Sequence, residues 1–287
     1  MEGSPEGQRV PVGAVCARLG MSRQNYYAQR QRRQRRQVAG DLVAELVRQE
    51  RALHPRMGAR KLYRKLQPAL AEAGIKMGRD RFFEELRERG LLVPPLPRQY
   101  PQTTHYSPSL PVFHNTIKEL EVTLPNEVWV ADLTYVRTDE GFLYVSLITD
   151  KYSRKIVGHH AEDTLESQGP LQALERALAG LPEGSHPIHH SDRGCQYASH
   201  EYVGRLQKAG LSISMTEIDH CAENAMAERV NGILKQEYGI GQGFKTKALA
   251  RRALDQAVQL YNTCRPHTAL NFQVPEAVHR RGTVQIR

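Results

Sequence analysis

Six prolines, Pro94, Pro95, Pro97, Pro101, Pro108 and Pro111, fall within 18 residues of this 287-residue chain. Each fixes its own φ, withholds an N–H and pushes the preceding residue out of the helical region. Neither a helix interior nor a central strand can run through such a stretch. It reads as an extended spacer over 94–111, and it obliges the chain to fold as separately cored parts. The two sides differ in charge. Residues 1–111 hold 21 Lys+Arg and 10 Asp+Glu, whereas 112–287 hold 19 and 21, so the whole net charge of +9 comes from the first part. A polyanion is the natural partner of such a block, because neutralising phosphates releases counterions. A solvated basic tail would have the same composition.

Other classes fall away quickly. No apolar run approaches the roughly 18–20 residues that cross a bilayer, and the first twenty residues lack a secretory pattern. These features predict a cytoplasmic protein with no membrane partner. Cys16, Cys195, Cys221 and Cys264 are far apart with no C-x-x-C, which argues against a zinc module and for thiols in a reducing compartment.

The first part reads as helices. A segment over 10–19 is interrupted by Gly20, and Ser22 is an N-cap for a second helix opening Arg23-Gln24-Asn25-Tyr26-Tyr27. That order predicts a helix-turn-helix, with Arg23, Gln24 and Asn25 within reach of base edges. Arg30, Arg32, Arg33, Arg35 and Arg36 follow as a helical or flexible arm along phosphates. Helical spacing returns over 41–53 and ends at His54-Pro55. Helices over 60–70 and 78–89, broken near Gly74, predict a second helix-turn-helix with Lys76, Arg79 and Arg81 near the start of its last helix. The predicted domains are 1–37, 38–93, the linker 94–111 and a core over 112–287.

In the core the period changes to two. Strands are predicted over 128–137, 142–149 and 155–160, then a helix over 165–179, a strand at 188–191, a helix over 201–209 and a strand over 211–215. Helices follow over 222–237 and 246–261. A meander followed by alternating helix and strand predicts an α/β fold with a mixed sheet.

Three acids stand out there. Asp132 lies inside Val128-Trp129-Val130-Ala131-Asp132-Leu133-Thr134-Tyr135, where a charge is costly without a cation or a function. Asp192 ends the strand 188–191, and acids at strand carboxyl ends in α/β sheets commonly line ligand crevices. Glu228 shares a helix with Asn224, Asn231 and Lys235, a polar stripe at spacings of four, three and four, while Ala222, Met226, Val230, Ile233 and Leu234 form the apolar face. Any one acid alone reads as a surface charge; three together read as a site. His189, His190 and His220 read as structural.

Thirty-five residues separate Asp192 from Glu228. Four ordered motifs accompany that spacing: Asn126 to Tyr135, His190-Ser191-Asp192-Arg193-Gly194-Cys195-Gln196-Tyr197, Glu223 to Glu237, and Tyr261 to Asn271 with Pro275. In these the chain resembles the retroviral-integrase-like DDE transposases of bacterial insertion sequences, of the second-reading-frame (OrfB) type, over nearly its whole length. It departs from them in carrying Glu223-Asn224-Ala225 where Asp-Asn-Ala is usual. The His-His-Cys-Cys zinc module of retroviral integrases also has no counterpart here.

The resemblance implies a ribonuclease-H-like integrase catalytic core, with a mixed five-stranded sheet and flanking helices, preceded by all-α helix-turn-helix modules. It implies Asp132, Asp192 and Glu228 as catalytic residues that bind two Mg²⁺ ions, with Mn²⁺ able to substitute. The reaction implied frees a 3′-hydroxyl at each element end and joins it to another DNA phosphate. Double-stranded DNA (terminal repeats and target), a second copy of the chain and an upstream-frame (OrfA) protein are the implied partners. Asn231 and Lys235 are expected at substrate DNA, as are Arg32, Arg33, Arg35, Arg36, Arg60, Lys61, Arg79 and Arg81. Arg265 and His267 are expected to position DNA or orient the core. Two other readings stay open: a metal-dependent nuclease or resolvase of the same fold, and a DNA-binding regulator with an inactive core.

Overall fold

A computed structural model describes residues 11–94, 110–217 and 223–284. Most of the proline spacer, together with Val10, His220, Cys221 and Ala222, lies outside the described residues. The chain divides into two compact units, Met1–Gln49 with Leu66–Leu92, and Glu50–Lys65 with Val93–Arg287.

In the first unit, α1 (Val12–Arg18) gives way at Gly20, whose φ of 61° suits a residue without a Cβ. Ser22 then accepts the Asn25 N–H at 3.1 Å, capping α2 as its residue type suggests. Helix α2 runs unbroken over Arg23–Leu53. The boundary expected at 37/38 therefore falls inside a helix, and the arginine arm is helical. Arg, Gln, Ala and Leu are good helix formers and no proline interrupts them. Gly40, the weak point, is required by packing: a Cβ there would collide with the Glu85 carboxylate. Helix α3 (Ala59–Glu72) and α4 (Arg79–Glu88) are joined through Gly74, φ 70°. Cys16, Val43, Ala44, Val47, Leu66, Leu70, Phe82 and Leu86 are the buried hydrophobic residues among those described in the unit. Glu85 is buried beside them, held by Arg81 at 2.9 Å and Arg89 at 2.7 Å, while Arg89 also reaches Asp41 at 2.8 Å.

The second unit is built on a five-stranded sheet in the order β3-β2-β1-β4-β5. Strands β1 (Val128–Thr138), β2 (Gly141–Asp150) and β3 (Ile156–Glu162) form an antiparallel meander, and β4 (Ile188–Ser191) and β5 (Ser212–Met215) run parallel to β1. This is the mixed sheet expected of a ribonuclease-H-like integrase core. Helices α5 (Gln168–Ala179) and α6 (His200–Lys208) cover one face, over Trp129, Ala131 and Ile148. Helices α7 (Ala225–Glu237) and α8 (Lys247–Thr263) cover the other, over Val136, Leu143, Val145 and Leu147. Helix α9 (Pro275–Val284) closes the described chain. The alternation of faces along β1 and β2 is the period-two pattern read from sequence. No helix among the described residues is long and apolar enough to cross a membrane.

Candidate active site

Strand pairing places the first two acids. Val128, Trp129 and Val130 pair with Ile188, His189 and His190 in parallel register. Carried two residues further, that register brings Asp132 level with Asp192. Strand β4 stops at Ser191, so its pairing with β1 ends at Val130, and Asp132 lies half-buried in mid-β1 just past that end, before the bridge from Thr138 to Phe244. On the other side Asp132 pairs with Leu147 of β2. Its side chain shares the face of Val128, Val130 and Val136, towards α7.

Helix α7 meets β1 through its polar stripe. The Asn224 amide donates to the Ala131 carbonyl at 3.1 Å and the Asn231 amide to Asp132 Oδ2 at 2.7 Å. The Lys235 ammonium stands 4.6 Å from the Tyr135 ring centre. Asn224 and Asn231 are buried, and Glu228 between them is exposed. Asp132 Oδ1 accepts the Leu133 N–H at 2.9 Å, and Asp192 Oδ1 accepts the Gly194 N–H at 3.0 Å. The Arg193 guanidinium ties this turn to the Thr216 carbonyl at 2.6 Å.

The electrostatics show that the acids share one neighbourhood. Burial, and then the Asp192 carboxylate, push Asp132 up to about 7; Asn231 and the Leu133 N–H pull the other way, and Glu228 adds a last upward push. Burial lowers the Lys235 pKa against the pull of Asp132. Tyr197, which the sequence reading left unassigned, is buried near both aspartates. Its hydroxyl has no hydrogen-bond partner among the described residues, and burial raises its pKa.

The donor set suits a hard cation: carboxylate oxygens only, repelling one another without a counter-charge. Among the described residues, however, no three His, Cys, Asp or Glu side chains are gathered closely enough to hold an ion. The chemistry fits a divalent metal, and the side chains stand short of a closed coordination shell.

The expected DNA-contact residues divide into three kinds. Arg23, Gln24, Asn25, Arg32, Arg33, Arg35 and Arg36 are exposed on α2, and Arg79 is exposed at the start of α4. Arg81 is drawn inward to Glu84, Glu85 and Glu88. Arg60 is exposed and lies 5.6 Å from the Phe272 ring centre.

Lys61 and Arg265 share one partner. Lys61 binds Glu237 at 2.5 Å, and Arg265, 2% exposed, grips the same carboxylate with Nε at 2.8 Å and Nη2 at 2.9 Å. Both are thus engaged by Glu237, and for Arg265 the geometry fits the core-orienting alternative. Asn231 is turned towards Asp132 by its hydrogen bond to that carboxylate. His267 accepts the Ala269 N–H at 3.3 Å and is held down to about 4, by burial and then by Arg265. Of the other histidines, His189 accepts or donates to the Tyr202 hydroxyl at 2.9 Å and His190 meets Ser214 at 2.9 Å, both inside the core as structural residues. Glu223, the departure from Asp, accepts the Glu217 N–H at 2.6 Å and the Asn115 amide at 2.9 Å, holding the entry to α7.

Two family models described as Integrase core domain match residues 122–221 and 209–275. The insertion element IS600 uncharacterized 31 kDa protein of Shigella sonnei is 34% identical over 271 residues, covering 93% of this chain and 98% of that protein. The transposase for insertion sequence element IS629, also of Shigella sonnei, is 32% identical over 266 residues, 90% of this chain and 88% of that one. Transposase InsF for insertion sequence IS3A of Escherichia coli K12 is 28% identical over 280 residues, 94% of each. Among solved structures, the HTLV-2 integrase catalytic core domain in complex with magnesium is 18% identical with a TM-score of 0.45, covering 55% of this chain and 99% of that one.

Proposed function

The chain belongs to the integrase-core transposases of insertion sequences, and on that footing we propose that it processes the ends of such an element and joins their 3′-hydroxyls to DNA by transesterification. The observation that carries this reading is the level placement of Asp132 and Asp192 beside α7, with Asp132 pushed up to about 7 by burial and then by its acidic neighbour.

Asp132, Asp192 and Glu228 would hold two Mg²⁺ ions, with Mn²⁺ as a substitute. When bound, such a pair supplies an activated oxygen nucleophile and a stabilised leaving oxygen for in-line displacement. The chain's own groups prepare the site. Asn231 and the Leu133 N–H orient the two oxygens of Asp132, and the Gly194 N–H orients Asp192. Lys235, half-buried against Tyr135, offers its ammonium to a DNA phosphate. The exposed first turn of α2 (Arg23, Gln24, Asn25) reads DNA, and Arg32, Arg33, Arg35 and Arg36 follow its backbone. Residues 112–287 form the catalytic part, and 50–65 join it as core residues. Pairing two element ends calls for more than one copy of the chain, with an upstream-frame protein as a further partner.

Incubating the protein with labelled element-end DNA, an unlabelled target duplex and Mg²⁺ tests this. Labelled strands covalently joined to the target are expected. Nicked ends that never join would make the protein a nuclease.

A further inference from the structure

The end of α7 is held by an arrangement that the reaction itself does not explain. Glu237, its last residue, receives Lys61 Nζ at 2.5 Å, Arg265 Nε at 2.8 Å and Arg265 Nη2 at 2.9 Å. Its main-chain carbonyl, one of those left open at a helix end, accepts the Arg56 N–H at 3.1 Å. The next residue, Tyr238, meets His54 Nδ1 through its hydroxyl at 2.9 Å. Lys65 spans from Glu50 at 2.6 Å to the Cys264 carbonyl at 3.0 Å. Residues 50–65 and 264–265 thus close on one helix end from two distant parts of the chain, all within the second unit.

At its other end α7 is fixed to β1 by Asn224 and Asn231. Glu228 lies between these anchors, nine residues from Glu237, or about 13 Å along the helix axis. A helix is stiff over that length, so a shift at Glu237 moves Glu228 and Lys235 with it.

We infer that Glu237 is a positioning residue, clamped by Lys61 and Arg265, and that segment 54–65 serves the catalytic core by fixing where Glu228 stands relative to Asp132. This rests on the reading of Glu228 as a catalytic acid. It takes Lys61 and Arg265 away from DNA and gives the segment ahead of the core a part in the chemistry. A displacement of about 1 Å of a reacting group can cost on the order of 100-fold in rate.

The test uses the full chain with Glu237→Gln, Lys61→Met, Lys61→Arg, the Glu237→Gln/Lys61→Met double variant and Glu228→Gln. Strand-transfer rate is measured against DNA concentration, with circular-dichroism melting alongside. Glu237→Gln is expected to lower the rate at saturating DNA by about 10- to 100-fold, with the half-saturating DNA concentration unchanged. Lys61→Met lowers it in the same sense, Lys61→Arg restores most of it, and the double variant is no slower than Glu237→Gln alone. Lys61→Met leaves the paired Arg265–Glu237 contact in place, so it reports even if Glu237→Gln does not fold. A raised half-saturating DNA concentration with an unchanged saturated rate in Lys61→Met would overturn the inference and make Lys61 a DNA contact. Full activity in both Glu237→Gln and Lys61→Met beside an inactive Glu228→Gln would overturn the clamp alone. An active Glu228→Gln would instead overturn the catalytic reading beneath it.

Discussion

Asp132 is held through both carboxylate oxygens, by the Leu133 N–H at 2.9 Å and the Asn231 amide at 2.7 Å. Asp132 and Asp192 stand out in the sequence because each is a charge next to strand-forming residues, while the register that sets them level comes from the pairing of β1 with β4. Asn231 is different: its stripe was visible, but nothing in a sequence says that its amide turns inward to Asp132 Oδ2 rather than outward to DNA. Replacing it by Leu is expected to slow strand transfer by about tenfold or more, the equivalent of one charge-assisted hydrogen bond, with DNA affinity retained. Rates measured at saturating DNA check this. The setting of Lys61 and Arg265 is equally hidden in a sequence, since their common partner Glu237 is 176 and 28 residues away.

His54 gives a pH dependence. It is buried beside Tyr238, and burial, then Lys65, hold its pKa down from 6.5 to about 4. The unfolded chain therefore takes up this proton first. The contribution is complete above pH 6.5 and is lost as pH falls towards 4, by about 3 kcal/mol in all. Urea unfolding of wild type and His54→Gln is expected to show a steeper loss of stability over that window in the wild type.

Among elements, the strands and most helices lie within a few residues of where periodicity and turn chemistry put them. The strand predicted at 188–191 and the helix predicted over 201–209 are examples: they are found as Ile188–Ser191, after Pro187, and His200–Lys208, after the Ser199 cap. The unbroken α2 was not legible, because a glycine inside a helical pattern suggests a boundary. Gly40 is there for space, not for a turn. Gly→Ala in a helix normally stabilises by up to about 1 kcal/mol. At Gly40 the added methyl group displaces Glu85 from Arg81 and Arg89, so Gly40→Ala is expected to lower the melting temperature. A rise would show that the ion pairs around Glu85 can move aside without loss.

For the whole molecule, the division of charge carries a prediction of its own. On the proposed function, the exposed arginines of α2 supply affinity through counterion release, not chemistry. Changing Arg32, Arg33, Arg35 and Arg36 together to Ser is expected to weaken DNA binding and to flatten its logarithmic salt dependence by roughly 3–4. The joining rate at saturating DNA stays within about twofold, because uniform binding contributes to affinity and not to the chemical step. Titrations across a salt series measure the first, and single-turnover rates the second. Composition made this division visible; the membership of residues 50–65 in the catalytic unit depended on long-range pairing that composition does not encode.

The central claim is that Asp132, Asp192 and Glu228 act together in joining DNA. Its most direct test is single-turnover strand transfer in Mg²⁺ by the wild type and by Asp132→Asn, Asp192→Asn and Glu228→Gln, at matched DNA occupancy. Joined product from the wild type, and its loss in all three variants with DNA binding intact, is the expected result. Joined product persisting in any one of them would contradict the claim.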